Sequence, residues 1–261
     1  MTFDPDIKKL LDSSAARINS TDFIVGDPVQ FPRRFDSLPD IEITSLLTSA
    51  IAWGNRKMIC RNCEKLLDIM HREPHAFTLD GAFEQIPDTL NIHRTFFGRN
   101  LKHFLRGLRS VYTRYPSLEA FALSAGVPQS THPAWTLVAA LNAELAAANS
   151  GVADSRCLPL GLDTTALKRV NMALRWLVRD DGIVDLGVWK AIKPSQLFIP
   201  LDVHVGNVAR ALGLIDRKAN DRKTTEQLTA ILRTMRPDDP VWYDFALFGI
   251  GMEAKGADLA E

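Results

Sequence analysis

The segment 198–213 places an acidic residue, Asp202, at the point where a helix must begin. Pro200 stiffens the chain just before it, and apolar residues recur at helical intervals over 203–212. Backbone N–H groups at a helix start have no intrahelical partner and carry partial positive charge, so a carboxylate there stays ionised. Asp202 therefore has two interpretations. It caps a helix, or it holds a negative charge beside a cation that develops during a reaction.

A regularly spaced polar face lies upstream, over 164–179. Its members recur at intervals of four, three, four and four and are mostly basic: Thr164, Lys168, Asn171, Arg175 and Arg179. A lysine amine becomes a nucleophile when burial or neighbouring cations lower its pKa towards neutrality. Lys168 is thus either one member of a solvated face or a nucleophile, and the spacing alone does not decide between the two.

A basic stripe lies in a third segment, 91–117, which carries six basic residues and no acidic one. Four of them share one helical face, at spacings of three, four and three: Arg99, Lys102, Arg106 and Arg109. Such a stripe is either a solvated helix face or a surface that neutralises several phosphates.

Cysteine and histidine patterns predict no metal and no cofactor. Cys60 and Cys63 form a CxxC pair, but a tetrahedral zinc site needs four ligands and Cys157 is the one remaining cysteine. Both also fall in an amphipathic helical pattern, where small buried thiols are common. The motifs of zinc proteases, serine hydrolases and P-loop nucleotide-binding proteins are absent from the sequence.

The elements that must position these residues are almost all helices. Helical periodicity predicts a helix over 41–51, with Asp40 as its cap, and seven more over 55–70, 101–112, 136–148, 164–178, 203–212, 224–235 and 241–250. Alternating strand patterns are scarce, and the prolines and glycines fall mostly between the helical segments. We expect an all-α protein of about ten helices joined by short loops.

Bulk properties are those of a globular protein. The chain has 261 residues, 46% of them hydrophobic and 24% charged, and its net charge is zero. No apolar run approaches the roughly 20 residues that span a bilayer, so we expect no membrane association. The first residues lack the pattern of a signal peptide, and three cysteines fit a reducing compartment. We therefore expect a cytoplasmic location.

Residues 199–210 resemble the signature of the helix-hairpin-helix DNA glycosylase superfamily, in which a proline shortly precedes the catalytic aspartate at a helix start. More narrowly, the chain resembles a bacterial family of uncharacterised proteins, DUF2400. The blocks that carry this resemblance are 52–57, 167–172, 174–179, 199–210 (which contains Asp202) and 243–249. Within the superfamily, the archaeal 8-oxoguanine glycosylase branch is the most similar.

The resemblance implies one glycosylase-like domain over 1–261, with two helical lobes and DNA across the cleft between them. Lobe A would cover about 40–179, and lobe B about 1–39 and 180–261. Carried over by position, Asp202 matches the catalytic aspartate and Lys168 the lysine that attacks the sugar and forms a Schiff base. The segment 180–194 would have to fold back, because Lys168 and Asp202 are 34 residues apart (202 − 168).

If the resemblance holds, Trp53 and Met172 are candidates for a pocket that receives the base. The structural alternative for both is packing in the core. The residues expected to contact nucleic acid are Asn55, Arg56, Arg99, Lys102, Arg106, Arg169, Arg175 and His204. We expect a DNA base-excision repair glycosylase with AP-lyase activity on an oxidised purine such as 8-oxoguanine, and damaged double-stranded DNA as its partner. The alternatives are a non-catalytic nucleic-acid-binding protein of the same fold and a helical protein-interaction module.

Overall fold

The structure, a computed structural model, describes residues 5–258 and is built mainly from α-helices, as the periodicity predicts. The first six helices are α1 (Pro5–Ile18), α2 (Thr21–Val25), α3 (Leu38–Ala50), α4 (Arg56–Ile69), α5 (Pro74–Asp80) and α6 (Gly98–Arg114). The next six are α7 (Leu118–Ser124), α8 (Pro133–Ala148), α9 (Lys168–Val178), α10 (Val203–Ala211), α11 (Arg222–Met235) and α12 (Tyr243–Asp258).

Short pieces of other structure connect these helices. Two strands, β1 (Asn91–His93) and β2 (Phe96–Phe97), pair antiparallel as a hairpin directly before α6. Single 3₁₀ turns cover Pro28–Gln30, Pro32–Arg34, Ala82–Gln85, Val127–Gln129, Pro194–Gln196 and Pro240–Trp242. The hairpin has no alternating apolar pattern, which is why the sequence did not predict it.

Four helix pairs form the main packing of the molecule: α1 with α12, α6 with α8, α3 with α9, and α10 with α12. The helix α3 is buried on all sides over Ile41–Ala50, including its hydroxyl-bearing residues. Burial all round marks a central helix, because a surface helix is apolar on one stripe only. The helix α9 packs directly on it, so the segment that carries Lys168 rests on the core.

Two predicted helix starts are wrong. The cap of α3 is Ser37, whose hydroxyl accepts from Asp40 N at 3.4 Å, whereas Asp40 accepts from the backbone of His75 at 2.8 Å. The helix predicted from residue 164 begins only at Lys168, after Leu167 in a left-handed conformation (φ 51°). The carbonyl of Thr164 accepts from Arg222 N at 2.8 Å, so a tertiary bond takes the place of the first helical one.

The segment after α9 folds back, as the resemblance required. Leu186 N donates to Trp176 O and Trp189 N donates to Leu177 O, both at 2.8 Å, which holds the returning chain against the C-terminal turn of α9. A helix of 11 residues is about 16 Å long, and the chain then retraces that length before it reaches α10. The starts of α9 and α10 are thereby brought to the same end of the molecule.

Candidate active site

Asp202 caps α10, which confirms the first interpretation of this residue. Its Oδ1 accepts from His204 N at 2.9 Å and from Val205 N at 3.0 Å, two of the N–H groups that a helix start leaves unpaired. These two bonds fix the orientation of the carboxylate. They use one of its oxygens, so the other is available to a different partner.

That partner is Lys168. Its Nζ lies 3.8 Å from Asp202 Oδ2, and the two side chains are 31% and 34% exposed. Lys168 is the first residue of α9 and Asp202 immediately precedes α10, so two helix N-termini, each with partial positive charge, meet here. An amine and a fixed carboxylate are therefore neighbours in a place that solvent reaches.

The pair opens onto a cavity of about 920 Å³. Both ranges predicted as lobes contribute to its walls. Residues within 46–59 and 157–172 come from the first range, and Asp27, 201–204, Asn220, Phe248 and Met252 come from the second. Eight of the predicted site residues line it: Trp53, Asn55, Arg56, Lys168, Arg169, Met172, Asp202 and His204. Residues up to 225 positions apart in the chain (252 − 27) thus share one cavity.

Trp53 and Met172, the predicted base-pocket residues, contribute apolar surface to this cavity. Met172 is nearly buried, one turn after Lys168 on α9, and Trp53 is half-buried at the junction of α3 and α4. His93 holds Trp53 in place: its Nε2 lies 2.9 Å from Trp53 O, and the two rings pack edge to face at 5.2 Å. A fixed indole next to a polar pair is suited to an aromatic ligand.

The basic residues on the cavity wall are mostly engaged by other protein groups. Arg56 pairs with Asp27 at 3.1 Å and lies 4.8 Å above the Phe248 ring. Arg169 donates to the carbonyl of Ala50 at the end of α3, and burial lowers the pKa of its guanidinium. Both guanidinium groups therefore already interact with protein groups at the cavity wall, and less of their charge is available to a ligand.

Asn55 and His204 are exposed at the cavity wall, and each lies at a helix start. Asn55 is the N-cap of α4, because its Oδ1 accepts from Met58 N at 3.3 Å. His204 is the second residue of α10, and its backbone N–H is one of the two groups that Asp202 engages. Both residues thus line the cavity from the start of a helix.

The structure places the other predicted residues elsewhere. Lys102 pairs with Asp88, and Arg106 donates twice to Glu84 at 2.6 Å, so two cations of the α6 stripe are neutralised by the segment before the hairpin. Arg99 remains exposed, with its guanidinium 4.7 Å above the Phe97 ring. None of these three lies among the cavity-lining residues.

Arg175 is a clear correction to the expected exposed polar face. It is 3% exposed and pairs with Asp185 at 3.2 Å and with Asp244. Asn171 and Arg179 on the same face are also buried. Polar residues that pair with buried acids have the same helical spacing as polar residues that face solvent. The spacing therefore could not show that this face is buried. Arg175 has no access to a ligand.

Three residues near the site were not predicted from the sequence. Asp27 and Asn220 line the cavity, and Asp244 lies behind it at the start of α12. Burial, opposed in part by Arg175 and assisted by the charge of Asp202, raises the pKa of Asp244 to about 6. Asp244 lies in the block 243–249 that carried the family resemblance, which was the one available signal.

Within the described residues, no cluster of three or more His, Cys, Asp or Glu side chains is arranged to hold a metal ion. Cys60 and Cys63 are free thiols, and burial raises the pKa of both. Over the same residues, none of the helices has the length and apolarity that a membrane crossing requires. The cavity wall itself offers an amine, a carboxylate and an aromatic side chain.

Comparison with curated proteins and with solved structures finds no match to this chain. A family model described as "Protein of unknown function (DUF2400)" matches residues 27–253, which include every cavity-lining residue named above. The match spans most of the chain. The protein belongs to the DUF2400 family.

Proposed function

We propose that the protein is a DNA base-excision glycosylase with AP-lyase activity, in which Lys168 is the nucleophile and Asp202 the stabilising anion. One observation carries the proposal: Lys168 Nζ lies 3.8 Å from Asp202 Oδ2 at the wall of a 920 Å³ cavity. A polar pair at the wall of a largely preformed cavity of several hundred Å³ is typical of a ligand site. Sequence resemblance to the glycosylase superfamily supplies the reaction class.

The reaction begins on a nucleotide that has left the base stack and entered the cavity. The uncharged amine of Lys168 attacks the sugar C1′ and the bond from C1′ to the base breaks. The base leaves with the bonding electrons and a proton, while the amine nitrogen loses one. Positive charge builds on the sugar as the bond breaks, and the Asp202 carboxylate, already fixed by its two cap bonds, stabilises it.

The second half of the reaction uses the covalent intermediate. Opening of the sugar ring gives a Schiff base between Lys168 and C1′, which makes the neighbouring C2′ protons acidic. Loss of one such proton expels the 3′ phosphate by elimination, and water then releases the lysine. This sequence replaces one difficult displacement by several easier steps.

The cavity supports a purine as the excised base. Trp53 offers an aromatic wall, and Met172 offers an adaptable apolar contact one turn from the nucleophile. An oxidised purine such as 8-oxoguanine is the substrate that the resemblance favours. The proposed division into lobe A (about 40–179) and lobe B (about 1–39 and 180–261) also agrees with a cavity lined from both ranges.

Borohydride trapping on a duplex that carries 8-oxoguanine tests the proposal. Borohydride reduces a Schiff base to a stable amine, so wild-type protein should form a covalent protein–DNA adduct. Lys168→Ala should form none. Lys190→Ala is the matched control, because Lys190 is 70% exposed, pairs with Asp180 and lies away from the cavity. It should trap as well as the wild type.

The outcomes separate the candidate functions. An adduct that persists in Lys168→Ala would assign the nucleophile to another residue. Absence of an adduct with wild-type protein across a panel of lesions would reject the enzyme. DNA binding without an adduct would then indicate a non-catalytic nucleic-acid-binding protein, and absence of both would leave the protein-interaction module.

A further inference from the structure

The β1–β2 hairpin lies beside the cavity wall and is hydrogen-bonded to it. Arg94 occupies its turn in a left-handed conformation (φ 50°), and its carbonyl accepts from Asn91 Nδ2 at 2.7 Å. His93 is fully buried between two polar groups, Asn62 Nδ2 at 2.8 Å and Trp53 O at 2.9 Å. Through His93 the hairpin is bonded to Trp53, a residue of the cavity wall.

Four cations are attached to this hairpin or directly follow it. Lys65 Nζ donates to Asn91 O at 2.6 Å, and Arg156 Nη1 donates to Thr95 Oγ1 at 2.9 Å. The other two stack on aromatic rings, Arg94 at 4.6 Å above Trp53 and Arg99 at 4.7 Å above Phe97. We call these four residues, Lys65, Arg94, Arg99 and Arg156, the hairpin surface.

The hairpin surface differs from the rest of the basic segment in its pairing. No Asp or Glu oxygen of a described residue lies within 4.0 Å of any of its four cationic groups. By contrast, three cations of α6 have carboxylate partners: Lys102 with Asp88, Arg106 with Glu84 and Arg114 with Glu144. Among the described residues, positive charge thus lacks a carboxylate partner at the hairpin surface and at Arg109, whereas it is paired at these three positions of α6.

The hairpin surface is continuous with the cavity through Arg94. Trp53 and Gly54 line the cavity, and the Arg94 guanidinium lies over both. A Cβ at Gly54 would stand 2.7 Å from Arg94 Nη1, so the absence of a side chain there is what lets the guanidinium approach. A ligand whose planar group entered the cavity next to Trp53 would have its adjoining anionic groups at Arg94.

We propose that the hairpin surface binds the phosphate backbone of DNA next to the nucleotide that occupies the cavity. A guanidinium with free donors binds phosphate in a bidentate manner, whereas one already paired with a carboxylate must first break that pair. Arg94 lies over two residues of the cavity wall, and the other three cations lie on or beside the hairpin that carries it. The inference rests on the proposed function, because it takes the occupant to be DNA.

Salt-dependent DNA binding tests this surface. The variant Arg99→Gln/Arg156→Gln removes two free cations and leaves Trp53 and Arg94 untouched, so the cavity wall keeps its support. Each phosphate contact contributes about 0.9 to the slope of log affinity against log salt, so the slope should fall by about two. Affinity at low salt should fall by about tenfold or more.

The matched control is Lys102→Gln/Arg106→Gln, which removes the same number of charges from the paired cations of α6. In this control, the slope of log affinity against log salt should change by less than half of the change seen in Arg99→Gln/Arg156→Gln. If the slope changes as much or more in this control, the phosphate contacts belong to α6 and the hairpin surface is rejected. If Arg99→Gln/Arg156→Gln binds DNA with the affinity of the wild type, the hairpin surface is rejected as well. A wild-type protein that does not bind DNA at any salt concentration would overturn it as well.

Borohydride trapping on the same proteins distinguishes the two proposals. Binding that depends on the hairpin surface without any wild-type adduct would reject the glycosylase and keep the surface. If the wild type forms an adduct but DNA binding does not change in Arg99→Gln/Arg156→Gln, the hairpin surface is rejected and the glycosylase proposal stands. Thermal unfolding of both double variants checks that each remains folded.

Discussion

At the scale of single residues, Asp202 combines two roles because its two oxygens face different groups. Oδ1 accepts from two backbone N–H groups of α10, and Oδ2 faces Lys168 at 3.8 Å. The first contact stabilises the helix and the second places a negative charge beside the amine. The cap bonds also restrict the side chain, so in the proposed reaction the charge would not have to be oriented as the bond to the base breaks.

Two substitutions of Asp202 separate these roles. Asn is as good an N-cap as Asp but is uncharged, so Asp202→Asn should keep the free energy of unfolding near that of the wild type. Asp202→Ala loses the cap and should be less stable by about 0.5–2 kcal/mol. Both variants should slow base excision by about a hundredfold or more, because both lack the anion.

Urea unfolding measures the first effect, and single-turnover excision with excess protein measures the second. Wild-type excision rates in Asp202→Asn would show that the charge has no part in the reaction and that Asp202 is only a cap. Equal loss of stability in both variants would show that the carboxylate stabilises the helix mainly through its charge.

At the scale of elements, the junction between α3 and α4 and the β1–β2 hairpin act as one unit. Trp53 and Gly54 connect the two helices, His93 bonds to the backbone of Trp53, and Arg94 covers the indole ring. Gly54 has φ +103°, a conformation that residues with a side chain rarely adopt. The junction therefore depends on glycine both for its backbone and for the approach of Arg94.

Substitution of Gly54 should weaken DNA binding through Arg94. In Gly54→Ala the new Cβ displaces the guanidinium, and the positive φ adds strain of about 1–3 kcal/mol to the native state. Gly126→Ala is the matched control, since Gly126 also has a positive φ (+71°) but nothing within 4 Å of the added Cβ. Both variants should lose stability.

DNA affinity by fluorescence anisotropy distinguishes the two glycine variants. It should fall several-fold in Gly54→Ala and stay at the wild-type value in Gly126→Ala. A similar affinity in both would indicate that Arg94 does not contact DNA.

At the scale of the whole molecule, a buried ion network joins the segments that carry the site. Arg175 of α9 pairs with Asp185 of the returning loop and with Asp244 of α12, and Arg179 pairs with Asp185 and Asp239. The network connects the helix that starts at Lys168 with the helix that packs on α10. Buried charges of this kind cost desolvation energy, so their pairing must be complete for the arrangement to be stable.

The pKa of Asp244 predicts a specific pH dependence of stability. Its folded-state pKa is about 6, against an ordinary value of 3.8, so the folded protein holds this proton more tightly than the unfolded chain. The resulting stabilisation is fully present below about pH 4 and is lost as the pH rises to about 6. Asp244→Asn lacks the titrating group and should not show this loss.

Unfolding free energies of the wild type and of Asp244→Asn, measured by urea at several pH values between 4 and 7, check this expectation. Wild-type stability minus variant stability should fall as the pH rises from about 4 to about 6 and should level off above it. A difference that stays constant with pH would place the folded-state pKa of Asp244 at its ordinary value.

The sequence alone determined the helical class, the approximate position of most helices and the cap at Asp202. These features depend on interactions within a few residues, namely the 3.6-residue periodicity of buried side chains and the hydrogen bonds of a helix start. The same short-range reasoning failed where a distant group competes. Thr164 O bonds to Arg222 N, so α9 begins later than its pattern predicts.

Only the tertiary structure decided which of the regularly spaced polar residues have partners. Arg175 is neutralised by an acid 69 positions away, Lys102 by one 14 positions away, and Arg94 by none among the described residues. The 3.8 Å separation of Lys168 and Asp202 likewise results from the packing of α9 and from the returning segment. Spacing along a helix specifies a face, but the chain that packs against that face decides whether its charge is buried, cancelled or free.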